Sequence, residues 1–122
     1  MQKEQRRPAL VVFLSSGSLL LEGVANRLRE RADRVQLELL DPRMPDALSR
    51  LDHLRPALVI LDAADPWVIE KCPLTRLLSD LPGTRIIELD SQAQQARVVT
   101  SELHAARDVS DLADVIDGHL PA

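Results

Sequence analysis

Cysteine occurs once in the 122 residues, at Cys72, so no intrachain disulfide can form and the fold must be held by packing. Aromatic side chains are nearly absent: Phe13 and Trp67 are the two in the chain. Lysine is equally scarce, found at Lys3 and Lys71 alone. Long apolar runs are missing too. Even the longest, ALVVFL at 9–14, falls far short of the roughly 20 residues that span a bilayer, as does Leu19-Leu20-Leu21. The opening segment MQKEQRRPAL is charged, with no apolar stretch of signal-peptide length behind it. These absences point to a soluble cytoplasmic protein with no membrane partner. A basic surplus is lacking as well: 15 Lys+Arg against 19 Asp+Glu give a net charge of −4, which argues against generic nucleic-acid binding.

What is present fits one domain. A chain of this length with 45% hydrophobic residues can bury a single core. Residues 1–7 read as a flexible basic tail and 8–120 as the domain. ALVVFL at 9–14 is rich in branched residues without alternation, as in a parallel strand covered on both faces. Ser15 to Ser18 then offer capping hydroxyls, and Leu20, Leu21, Val24, Ala25 and Leu28 recur at helical spacing to about Ala32. VQLELL (35–40) places Val35, Leu37 and Leu39 on one face, predicting a strand nearer the sheet edge. Pro45 to Leu54 reads as a short helix stopped by Arg55-Pro56, since proline disfavours helical geometry in the residue before it. ALVIL (57–61) is a buried strand. Pro73 divides the next stretch into a turn at 66–71 and a helix at 73–80. RIIEL (85–89) makes a fourth strand.

This alternation predicts a parallel sheet with helices on both faces. The last third breaks it. Too few residues separate Asp90 from Val98-Val99 for a parallel return, which needs a dozen or more. The reading is therefore that no helix follows the fourth strand and that 97–103 forms a fifth strand antiparallel to it. Asp108 or Ser110 would cap a final helix carrying Leu112, Val115, Ile116 and Leu120.

LSSGSLLLEGVANRLRE, followed by RPALVILDAADP, resembles the response-regulator receiver domain over about residues 8–90. Its best local point is VILD at 59–62 with Pro66 four residues on. The resemblance implies a single-domain flavodoxin-like (CheY-like) three-layer α/β sandwich with a five-stranded, mainly parallel sheet. It also implies Asp62 as phosphoacceptor, a divalent cation held by carboxylates after strand one, a hydroxyl after strand four and a lysine after strand five. Here Ser15 and Ser16 stand where the metal-binding acids belong, Asp90 takes the hydroxyl position with Ser91 behind it, and no lysine follows strand five. Arg97 or Arg107 would have to supply that cation. Magnesium prefers carboxylate oxygens and water. A negative Asp90 beside a phosphorylated Asp62 would be repulsive.

These departures predict a pseudo-receiver: no enzyme, no metal, no cofactor, and function through contact with a sensor or regulatory protein or a second copy of itself. Asp65 and Trp67, at the former active edge, are the candidate contact residues. Two alternatives stand beside this. One is a working receiver phosphorylated on Asp62. The other is a small-anion or nucleotide site on the Ser15–Ser18 turn, where amides at a helix N-terminus suit an anion. His53, His104 and His119 share no metal-ligand spacing and read as exposed; Cys72 reads as a buried thiol.

Overall fold

A computed structural model describes residues 8–31 and 33–121. The basic tail at 1–7 lies outside the described residues, as does Ala32. Ten elements follow one another: β1 (Ala9–Leu14), α1 (Leu19–Arg29), β2 (Val35–Leu40), α2 (Ala47–Leu54), β3 (Leu58–Asp62), α3 (Pro66–Lys71), α4 (Leu74–Asp80), β4 (Arg85–Asp90), β5 (Gln95–Val99) and α5 (Val109–Gly118). The sheet order is β2-β1-β3-β4-β5; the first four strands run parallel and β5 returns antiparallel to β4. No helix of the described residues is long and apolar enough to cross a membrane.

Alternate residues of each strand feed the two faces of the sheet. Val12, Leu14, Val59, Leu61 and Ile86 point to one side, where Ala47 and Leu51 of α2, Val68 of α3 and Leu77 of α4 cover them. Val11, Phe13 and Ile60 point to the other, against Leu21 and Ala25 of α1. This double coverage explains why β1 and β3 read as unbroken apolar runs. β2 is the edge strand its mixed sequence predicts, although Leu39 stays exposed while Val35 and Leu37 pack on the α1 side. Cys72 is buried among the residues of the first face, and that burial pushes its thiol pKa up.

Several elements differ from the sequence reading: the turn expected at 66–71 is the helix α3, started by the Asp65 cap and Pro66, and α2 begins at Ala47 rather than Pro45. Helix α1 stops at Arg29, capped by Glu30. Strand β5 begins at Gln95 rather than Arg97, because the turn 91–94 is only four residues long and Gln94 closes it in the left-handed region (φ 53°). It ends at Val99, opposite Ile86, one residue short of the start of β4 at Arg85. The chain then turns to α4, where the Ser101 hydroxyl donates to the Leu78 carbonyl at 2.8 Å. A further difference concerns α5. Asp108 caps it as expected, but the stripe of Leu112, Ile116 and Leu120 remains exposed and no residue of this helix is buried.

Arg55 ends α2 in the left-handed region (φ 49°), its N–H donating to the Leu51 carbonyl. That conformation costs a residue with a Cβ about 1 kcal/mol or more, and glycine is the usual occupant of such a cap. Arg55→Gly also removes an exposed ion pair with Asp52, a kind worth little. Greater freedom of glycine in the unfolded chain offsets part of the gain. A net stabilisation of about 0.5 kcal/mol is expected in urea unfolding; a loss would show that Arg55 is not strained.

Candidate functional site

The loop between β1 and α1 and the loop between β3 and α3 meet at the carboxyl edge of the sheet, where open α/β folds place ligands. Four hydroxyl and carboxylate residues lock them together. Ser15 shapes the first loop: its Oγ accepts from the N–H groups of Gly17 (3.0 Å) and Ser18 (2.9 Å). Gly17 sits at φ 127°, with nothing within 4 Å of where a Cβ would stand, so the backbone conformation itself calls for glycine. Ser18 is the N-cap of α1, accepting from the Leu21 N–H at 3.2 Å while its own hydroxyl donates to Asp62 Oδ2 at 3.1 Å. Ser16 donates both its N–H (2.9 Å) and its hydroxyl (2.9 Å) to Asp65 Oδ2, and the hydroxyl also lies 3.0 Å from Oδ1.

The two aspartates serve their own loop in return. Asp62 Oδ1 accepts from the Ala64 N–H at 2.9 Å. Asp65 caps α3 by accepting from the Trp67 N–H at 3.0 Å. Asp65 is only 7% exposed, and its carboxylate is turned inward rather than toward solvent. Trp67 is 40% exposed at the start of α3. Thus Ser16, one of the two serines at the expected metal-ligand positions, does not face an empty basin. The Ser16 donors close onto Asp65 opposite, while the Ser15 hydroxyl turns back to accept from the N–H groups of its own loop.

The remaining acids at this edge are occupied locally. Asp41 is held by Arg43, whose Nη2 lies 2.8 Å from Oδ2, and these hydrogen bonds keep the Asp41 carboxyl below the usual carboxylate range. Asp90 Oδ1 accepts from the N–H groups of Gln92 and Ala93, both at 3.1 Å, and so shapes the β4–β5 turn. Ser91 lies exposed in that turn. The two arginines considered as stand-ins for the missing lysine are engaged elsewhere: Arg97 lies 3.8 Å from Glu88 across the β4–β5 ladder, and Arg107 is 2.8 Å from Asp111 on α5.

Two concavities flank the locked loops. One, of about 440 Å³, is lined by Ala63, Glu88, Asp90, Gln95, Ala96 and Arg97, mixing acids with a single paired arginine. The other, of about 200 Å³, lies beside Ser15, Gly17 and Ser18 and is floored by Phe13, Leu21 and Leu40. The amides that an anion would need on the 15–18 turn are committed. Ser15 N–H donates to the Leu40 carbonyl, Ser16 N–H to Asp65, and those of Gly17 and Ser18 to the Ser15 hydroxyl.

Sequence spacing missed one assembly. His53 is exposed on α2, as expected. His104 and His119, fifteen positions apart, are brought together with Glu102 by the return of α5 onto the segment after β5. Only the closeness of Glu102 and His104 in sequence could have been seen locally, and it is no metal-ligand signature by itself. No family model, curated protein or solved structure matches this chain.

Proposed function

We propose that this chain is a receiver-like module that works by protein–protein contact and has given up magnesium-dependent phosphoryl transfer. The observation that carries the reading is the closure of Ser16 on Asp65 and of Ser18 on Asp62. A receiver site needs carboxylates free to hold a hard cation and an aspartate free to attack a phosphoryl donor. In this chain neutral hydroxyls occupy the first role, and both oxygens of Asp62 already accept hydrogen bonds from the fold. The strand order 2-1-3-4-5 with helices on both faces supports the flavodoxin-like part of the reading.

The contact surface belongs to β5 and α5. β5 is an edge strand whose Val98 is 60% exposed, and Arg97 is its single charge. Edge strands are ordinarily blunted by charged side chains, proline or a cover; Arg97 is the one such device on Gln95–Val99, and among the described residues the strand stays largely exposed. Further along the chain α5 leaves Leu112 and Ile116 open. A second copy of the chain satisfies both, because an edge strand can pair with itself about a two-fold axis and bring two apolar helices together.

Titration of the protein with magnesium and beryllofluoride, followed by amide resonances, is the direct test. No perturbation at Asp62 or along β5 is expected. Saturable shifts at those positions would identify a working receiver instead. Sedimentation velocity tests the contact itself: a self-associating species weakened by Val98→Lys is expected, and a strict monomer at high concentration would refute the proposed dimer.

A further inference from the structure

Glu102, His104 and His119 lie beyond the amino-terminal end of β4, where Ser101 accepts from the Gly83 N–H at 3.1 Å. They play no part in the carboxyl-edge network. One ligand atom from each lies within 4.8 Å of the other two. Glu102 Oε2 is 2.9 Å from His104 Nε2 and 3.8 Å from His119 Nε2. The two rings are nearly perpendicular (87°), with centroids 5.6 Å apart, so they are not stacked.

The orientation of His119 is the most informative detail. Its Nδ1 lies 2.9 Å from the Val115 carbonyl oxygen one turn back on α5. A carbonyl can only accept, so the hydrogen sits on Nδ1, and in the neutral ring the lone pair belongs to Nε2, the nitrogen on the Glu102 side. A hydrogen bond from the far nitrogen to a backbone carbonyl is the usual outer support of a metal-ligating histidine, fixing tautomer and ring together.

We propose that Glu102, His104 and His119 form a binding site for a divalent transition-metal ion of the zinc class. Two imidazoles and one carboxylate suit zinc, cobalt, nickel or copper; magnesium and calcium call for all-oxygen sets. Metal–ligand bonds of about 2.1 Å require donor atoms no more than about 4.2 Å apart. Tetrahedral coordination sets donors about 3.4 Å apart, so the widest separation allowed by the cluster, 4.8 Å, closes by a side-chain movement of roughly 1.4 Å. All three side chains are exposed, and Glu102 and His104 can make it while His119 keeps its hydrogen bond to Val115. The ion takes the place of the proton between His104 Nε2 and Glu102 Oε2, and that proton leaves to solvent. Coordination positions beyond the three protein ligands are filled by water. The ion ties the end of α5 to the segment leaving β5, holding a helix that buries no side chain of its own.

Zinc titration of the untagged full chain, read by calorimetry and by imidazole resonances, tests the site. Saturation at one ion per chain is expected, with the His104 and His119 signals shifting and His53 serving as the unmoved internal control. His104→Ala and His119→Ala should each weaken zinc at least roughly tenfold, on the scale set even by loss of an outer support. His53→Ala should leave zinc binding unchanged, and magnesium should shift none of the three. Unchanged zinc affinity in both the His104 and His119 variants, or a His53 shift as large as theirs, would overturn the proposal. Far-UV circular dichroism of the variants keeps the comparison among folded proteins.

Discussion

Asp65→Ala is expected to destabilise the fold by about 3 kcal/mol, because three donors lose a charged acceptor at once. The N–H of Ser16, the hydroxyl of Ser16 and the N–H of Trp67 all terminate on this carboxylate, at 2.9 to 3.0 Å. Loss of a helix cap alone costs about 1 kcal/mol, and a hydrogen bond to a charged group contributes about 1.5 to 3 kcal/mol where it is shielded. Asp65 is shielded, being 7% exposed, so water does not readily replace what alanine removes. Relief of the carboxylate's own desolvation keeps the total below the sum of the parts. Asp65→Asn should fall between, since its amide oxygen still caps α3 but its NH₂ group meets the Ser16 N–H as donor against donor. A double-mutant cycle with Ser16→Ala should give a coupling of at least about 1 kcal/mol, as expected for residues sharing one network. Asp41→Ala is the contrast, with an exposed partner and little expected effect. Urea unfolding decides: if Asp65→Ala were as quiet as Asp41→Ala, the two loops would not be held together through this carboxylate.

The dependence on Asp65 was only half legible in the sequence. Asp-Pro before an apolar stretch is a capping signal, yet nothing local announces that Ser16, 49 positions earlier, donates to the same side chain. The same division runs through the fold. β1 and β3 were readable because burial on two faces leaves an unbroken aliphatic run, and the antiparallel return of β5 followed from the shortness of the connection after β4. The register of β5 was not readable. It depends on where β4 begins and on Gln94 accepting a left-handed turn, and neither leaves a mark in residues 97–103. α5 shows the opposite failure: its apolar spacing correctly marks a helix, but periodicity cannot say whether a partner face exists within the same chain. Its exposed stripe is a pattern without an intramolecular answer. The Glu102–His104–His119 cluster stayed hidden because its ligand spacing is created by that helix's return.

Placing carboxylates at positions 15 and 16 should make the fold depend on magnesium. In Ser15→Asp/Ser16→Asp the first change is nearly neutral, since an aspartate can accept from the N–H groups of Gly17 and Ser18 as the serine hydroxyl does. The second is severe. It removes the hydroxyl donated to Asp65 and sets a like charge against a buried carboxylate, a loss of about 3 kcal/mol or more in the presence of a chelator. That same crowding of carboxylates is what a hard divalent cation requires. Magnesium at ten times its dissociation constant would return about 1.4 kcal/mol, through binding to the folded state alone. Thermal unfolding with chelator, with magnesium, and with sodium chloride at matched ionic strength separates specific binding from screening. The variant should recover stability with magnesium and not with sodium, while the native chain should respond to neither. A native chain that gained as much from magnesium as the variant would mean that Ser15 and Ser16 do not disable the pocket, and the case for a receiver-like fold without its phosphoryl chemistry would fail at its first premise.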